Sequence, residues 1–328
     1  MSDEETGTVG RAVTAWRARW FPEAPLSDLA VARVLLATVV VYLNAGGLRF
    51  SLVPRAPSIA WEPVSFLAAA GAEQPTAAWL HGLHLATSVA LIATVAGLAT
   101  NVAMAAAFVL QLVQEGLLNS LGKVTHSTIP LLHAMLFFAL APCGGSWSLD
   151  ASFRRWHQRS GRSARSPSAR SASAPPTSRF ARWPFELLLL ELAFYYFDAG
   201  LTKLVTSGPA WADGYTLQYH LLHHDTSVGR LLAPHLAICA LLSTAALAFE
   251  LLFPLAVVFR RLRPYFLAAG VCFHLGNHLL LDLIFWPVLA VYPLVVPWSV
   301  LQRRVAALFH RYGTLRRERL SNEGTDHE

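Results

Sequence analysis

Between residues 184 and 204 the chain reads PFELLLLELAFYYFDAGLTKL. As an α-helix rising 1.5 Å per residue, this stretch is about 30 Å long, the thickness of a bilayer's hydrocarbon core. It is apolar enough to span, yet it carries Glu186, Glu191, Asp198 and Lys203. Ionisable side chains at membrane depth are costly and are candidates for function. The equally weighted structural reading has Lys203, near the outer end, snorkelling to the interface and Glu191 and Asp198 pairing with a lysine or arginine elsewhere in the bundle. At 100° per residue, Glu191, Tyr195, Asp198 and Thr202 share one stripe, and Leu192, Tyr196, Ala199 and Lys203 the adjacent one. Gly200 allows a neighbouring helix to come close.

The rest of the 328-residue chain has the same character. Hydrophobic residues make up 54% and charged residues 14%, against about 25% charged in a soluble domain. Too few polar residues remain to cover a soluble globule. Mean hydropathy is +0.43, which likewise excludes a disordered chain or an ordinary cytosolic enzyme. The expected fold class is all-α, a polytopic integral membrane helix bundle. Apolar runs predict about eight transmembrane helices, at about 27–45, 79–98, 101–118, 126–142, 184–204, 233–258, 264–281 and 284–301. The first 25 residues are polar and lack the early apolar stretch of a cleavable signal peptide. Cys143, Cys239 and Cys272 are too scattered for a disulfide framework or a zinc site.

The net charge of +6 is a topology signal. Arg11, Arg17 and Arg19 precede the first run, and eight arginines from Arg154 to Arg182 separate the fourth and fifth. Arg260, Arg261 and Arg263 separate the sixth and seventh, and six arginines from Arg303 to Arg319 follow the eighth. The alternate loops hold only Arg49, Arg55, Lys123 and Arg230. This positive-inside bias puts both termini in the cytoplasm and requires an even number of spans. The expected organisation is a cytoplasmic segment over 1–25, a transmembrane domain over 26–302 and a basic cytoplasmic tail over 303–328. A Ser/Arg/Pro-rich stretch over 155–182 is expected to be a disordered cytoplasmic linker. The location expected is the cell (inner or plasma) membrane, with no nucleic-acid partner.

Two further places carry chemistry. His274, Asn277 and His278 lie in the seventh run, and His274, His278 and Asp282 recur every four residues on one helix face. That face is a weak metal candidate, with hydrogen-bonded polar residues in a bundle as the plainer reading. His220, His223 and His224 lie in the outer loop after Lys203; His81, His84, His126, His235 and His278 fall on the same side. With Trp211, Tyr215 and Lys203 nearby, they point to an outward-facing polar cavity. Arg33 in the first run needs a partner, while Gln111, Gln114, Glu115 and Glu250 read as helix–helix glue.

The segment YYFDAGLTKLVTSGPAWADGYTL (Tyr195–Leu217), with its Ala199, Gly200, Leu201, Lys203, Leu204, Trp211 and Gly214, resembles the signature of the vitamin K-dependent γ-carboxylase-like superfamily. Its short bacterial members are the horizontally transferred transmembrane (HTTM) domain proteins. Phe273–Trp298 resembles that family's His-x-x-Asn helix and the Phe-rich helix after it, Gly144–Ala151 resembles the end of its fourth span, and Arg33 fits too. The resemblance covers about residues 25–300. It implies a lysine base at Lys203 acting on a reduced vitamin K or menaquinone-type quinol, with oxygen and then carbon dioxide consumed. It implies that His274 and Asn277 orient the head group, with Glu191, Tyr196, Asp198, Trp211, His278 and Arg33 in support. Thr202 stands where true carboxylases often carry a second lysine, and their large C-terminal portion has no counterpart, so quinol-dependent oxygenation fits better than peptide carboxylation. Two other function classes stay open: a non-enzymatic partner in export, maturation or immunity of a small peptide, and a transporter using the carboxylates as a proton relay.

Overall fold

A computed structural model describes residues 3–45, 52–122, 126–160, 176–283 and 285–307. The chain is mostly helical, with almost no strand, among these residues. In chain order, α1 is Asp3–Trp20, α2 Leu26–Ala45, α3 Ser65–Ala69, α4 Ala77–Ala96, α5 Thr100–Asn119 and α6 Ile129–Leu140. Then come α7 (Leu149–Ser160), α8 (Trp183–Ser207), α9 (Tyr215–His224), α10 (Ser227–Leu232), α11 (Leu236–Leu252), α12 (Leu255–Val258), α13 (Arg263–Leu281) and α14 (Trp286–Leu289). Residues 298–307 form a last helix, α15. The exception to the all-α expectation is a two-residue antiparallel ladder. It pairs Ala24 with Ser178 and Pro25 with Thr177, pinning the entry of α2 beside the segment that leads into α8.

Among the described residues three helices, α2, α4 and α5, are long and apolar enough to cross a membrane. α8 has the length, at 25 residues, but carries the charged groups that drew attention to it. α13 is likewise continuous over 19 residues, while the sixth and eighth runs are interrupted where prolines stand. The sixth run breaks at Pro254 into α11 and α12, because proline lacks the N–H that would continue the ladder. The eighth run is not one helix. Pro287, Pro293 and Pro297 divide it into α14, a 3-10 turn at Tyr292–Val295, and α15. α6 has 12 residues, about 18 Å of helix against the ~30 Å of hydrocarbon.

The stretch expected to be a linker over 155–182 begins inside α7 and ends in the ladder at Thr177–Ser178. Its middle, 161–175, lies outside the described residues, as do Arg49 and Lys123 and most of the expected tail, 308–328. α7 forms because Leu149, Phe153 and Trp156 share a face, with Arg154 and Arg155 beside them. Those three apolar side chains are exposed, the pattern of a helix lying in a membrane interface.

The core runs through the centre of the bundle, where Leu29, Leu36, Met104, Met135, Phe138, Leu188, Leu192, Tyr196, Phe253 and Val288 are sealed from contact with the outside. Polar side chains fasten helices around it. Asn44 Nδ2 donates to Gln111 Oε1 at 2.7 Å, Gln114 Nε2 to Thr87 at 2.5 Å, and Thr128 to Glu115 at 3.1 Å. Such bonds hold helices together where lipid removes the hydrophobic drive between them.

The two ends of α8 are chemically different. At its start, buried Glu186 accepts from Arg263 at 2.9 and 2.5 Å and from Arg182 at 3.1 Å, with Arg260 at 3.7 Å. Arg260 also donates to the Arg19 carbonyl at 3.0 Å. The arginines of three separate segments therefore meet at one end. Lys203 lies 17 residues farther along α8, about 25 Å away along its axis.

Candidate functional site

The last turns of α8 open onto a large cavity of about 740 Å³. α8, α9, α11 and α13 wall it, and Trp211, His126, Leu283 and Phe285 complete the lining. Its size is that of a small-molecule site, and its walls are mostly apolar with a few polar groups, as ligand pockets are.

Sequence periodicity decides which face of α8 looks in. Tyr196, Ala199 and Lys203 line the cavity, joined by Tyr195. Lys203 Nζ donates to Glu250 Oε1 of α11 and sits 5.4 Å from the centroid of the Trp211 ring, a cation–π distance. Glu250 is buried, and its other oxygen has no partner among the described residues. The pair forms because α11 crosses α8 at Gly200. A Cβ there would lie 2.9 Å from Glu250 Cβ, so only glycine lets Glu250 reach the lysine one turn on.

On α13, His274 is buried and Asn277 follows one turn later on the same wall. His274 Nε2 lies 2.6 Å from the Tyr196 hydroxyl, which in turn lies 2.5 Å from the Tyr292 hydroxyl. Aromatic rings of Phe273, Phe285 and Tyr292 surround the imidazole. His220 and His224 project from α9 into the cavity and His126 joins from the start of α6; His81, His84, His223 and His235 are not among its lining residues.

The structure therefore brings Lys203, Tyr196, Trp211, His274 and Asn277 together in one place. The other sequence candidates lie elsewhere. Glu191 faces α6 and bonds to His133 at 2.5 Å. Asp198 is exposed on the far side of α8. Arg33 is fully buried but donates to the backbone carbonyls of Cys143 at 2.9 Å and Trp147 at 2.5 Å, clamping α2 to the turn after α6. His278 lies 3.4 Å from Asp282 at the end of α13, while His274 is committed to Tyr196. Among the described residues no group of three or more His, Cys, Asp or Glu is placed to hold a metal ion.

Glu250, Tyr292, Ser243 and Cys272 are the polar groups of this region that sequence reasoning did not place here. Glu250 was visible only as an acid in an apolar run, and Tyr292 only as a tyrosine between prolines. Their partners lie 47 and 96 residues away, and no helical periodicity relates such positions.

In a comparison with protein-family models, the HTTM domain matches residues 21–299, nearly the whole chain. No curated protein and no solved structure matches. The chain belongs to the HTTM domain family, a membrane-associated domain related to the vitamin K-dependent carboxylase.

Proposed function

Starting from HTTM-domain membership, we propose that the cavity takes a lipid-soluble quinol of the menaquinone type and that Lys203 is its general base. The observation that carries this reading is the Lys203–Glu250 pair set in the wall of a large, apolar, aromatic-lined cavity. The donor set fits a flat ring with polar oxygens. Tyr195, Tyr196, Phe249 and Phe273 supply aromatic surface, Trp211 stacks near the amine, and His274 and Asn277 offer polar atoms.

A bound quinol, on the family's chemistry, supplies the reducing equivalents that let oxygen be used. What the chain supplies is proton handling and exclusion of water. Lys203 Nζ takes a proton only if its own proton has left, and Glu250 Oε1 is the group in contact to receive it. In a site of low polarity the pair holds that proton between its two atoms, where bulk water would leave both ions solvated. The Trp211 ring lies against the amine, 5.4 Å from it to the ring centroid.

The proposed setting is an eight-span protein of the cell (inner or plasma) membrane, with both termini cytoplasmic and the cavity toward the outer face. The meeting of Arg19, Arg182, Arg260 and Arg263 at one end of the bundle supports that orientation. In this scheme residues 26–302 form the membrane domain, with the cytoplasmic linker over 155–182 inside it, and 1–25 and 303–328 are cytoplasmic flanks.

The test uses purified protein in mild detergent with reduced menaquinone and oxygen, and measures quinone epoxide. Wild type is expected to form it. Lys203→Arg keeps the charge and the carboxylate contact but cannot act as a base near neutral pH, so epoxide should fall between about 10²- and 10⁴-fold. No epoxide and no quinol binding by wild type would sink the reading and favour a non-enzymatic partner, for which Lys203→Arg would be silent.

A further inference from the structure

Tyr196 Oη has two hydrogen-bonding neighbours, His274 Nε2 and Tyr292 Oη. A hydroxyl carries one proton, so the three groups form a chain with a direction. In one direction Tyr292 donates to Tyr196, and Tyr196 donates to His274 Nε2. In the other, His274 Nε2–H donates to Tyr196, Tyr196 donates to Tyr292, and the Tyr292 proton is left over.

The packing decides between them. Tyr292 is 4% exposed, and its hydroxyl has no second partner among the described residues. It is seated against Gly270, where any Cβ would collide with its oxygen. Each direction leaves one buried donor without a partner among the described residues. The second leaves the Tyr292 hydroxyl, which does not line the cavity, and the first leaves His274 Nδ1–H, on a side chain that does, where a ligand can accept it, so the first direction is favoured. Among the described residues His274 has no carboxylate partner, and it is enclosed by aromatic rings, so its ring is the neutral imidazole. With Nε2 accepting, the hydrogen is on Nδ1. That Nδ1 atom is itself buried and without a partner among the described residues, on a side chain that lines the cavity.

We propose that His274 presents the cavity with one oriented Nδ1–H donor for an oxygen acceptor of the ligand, and that Tyr292, acting through Tyr196, is the positioning residue that fixes this tautomer. Tyr292 is absent from the cavity lining, so it acts from behind. Identifying the acceptor as a ring oxygen of a quinone rests on the functional reading above; the tautomer does not. In that reading the two ends of the ligand are told apart. One oxygen faces an amine–carboxylate pair that moves a proton, and the other faces a donor that holds its own.

The experiment is ¹⁵N NMR of histidine-labelled full-length protein in lipid nanodiscs, with His274 assigned by comparison with His274→Gln. Without ligand, wild type should show a protonated Nδ1 and a bare Nε2 at His274. Tyr292→Phe and Tyr196→Phe should show a mixture of tautomers. A protonated Nε2 in wild type overturns the proposal, as does an unchanged tautomer in both variants. Menadione then serves as the probe. It should shift the His274 Nδ1 resonance and bind Tyr196→Phe about tenfold more weakly, the worth of one hydrogen bond. Menadione that binds without moving Nδ1 overturns the donor role. Failure of menadione to bind, with the Nδ1–H tautomer present, upholds the tautomer and counts against the quinone reading alone.

Discussion

At the residue scale, the ion pair between Lys203 and Glu250 is a determinant of stability. The Glu250 side chain is 3% exposed and that of Lys203 25%, so the carboxylate suffers more when its partner is lost. Breaking a buried pair from one side costs about 3–5 kcal/mol, and replacing both partners with apolar groups costs far less. Lys203→Ala should therefore lower stability by about 3 kcal/mol, the low end because the lysine is partly exposed. Lys203→Leu with Glu250→Leu should restore most of it, read as the melting temperature in detergent. Equal losses in the single and double variants would show that the pair is not coupled. The lysine itself was readable in the sequence, since a charge late in an apolar run has few explanations. Its partner was not, because Glu250 is chosen by the crossing of α8 and α11 at Gly200. Glu191 makes the same point from the other side: an acid on the neighbouring stripe, one turn from Tyr195, that the packing gives to His133 and not to the cavity.

At the scale of elements, apolar runs located the helices well and their continuity poorly. Runs one, two, three, five and seven correspond to helices with ends within a few residues. Runs six and eight are broken where prolines stand, a signal present in the sequence but masked by unbroken hydropathy. The turn between α4 and α5 shows what hydropathy omits altogether. Asp150, 50 residues on, caps α5 from outside. Its Oδ1 accepts from Ala99 N at 2.9 Å, and its Oδ2 accepts from Thr100 N at 2.8 Å and from Thr100 Oγ1 at 2.7 Å. Desolvation alone would raise the Asp150 pKa. The bonds from Thr100 and Ala99 and the charge of Arg154 outweigh it and hold the carboxyl below the usual range. A depressed folded value means the stabilisation is present above the unfolded carboxylate pKa and is lost as pH falls through the folded one. Asp150→Asn should cost about 1 kcal/mol at neutral pH, as loss of a cap does. It should also flatten the fall in melting temperature as pH drops below about 4. A parallel fall in both proteins would remove Asp150 as the cause.

At the scale of the whole molecule, the charge distribution and the packing describe the same polarity. The basic end is knit by Glu186, whose carboxylate holds Arg182 and Arg263. Removing Arg263, which bonds it bidentately, should destabilise by about 3 kcal/mol. Removing Arg260, half-exposed at 3.7 Å, should cost under about 1 kcal/mol. The opposite end carries the cavity, and a native thiol reports on it. Cys272 is exposed and lines the cavity, whereas Cys143 and Cys239 are buried. Nine residues separate Cys272 from Leu281 at the end of α13, placing it about 13 Å in from that end. An apolar maleimide should therefore modify Cys272 and spare the other two cysteines, while a sulfonated one should react at least about tenfold more slowly, since its charge must enter hydrocarbon. Menadione should protect the thiol if it fills the cavity. Orientation is read in the Cys272→Ala background with Ser227→Cys and Arg261→Cys, using right-side-out vesicles. The sulfonated reagent should label position 227 from outside and position 261 only after permeabilisation. The reverse pattern would invert the proposed topology and turn the cavity toward the cytoplasm. A charge bias could then no longer be credited with setting the orientation, and the cavity would have to be reached from the other leaflet.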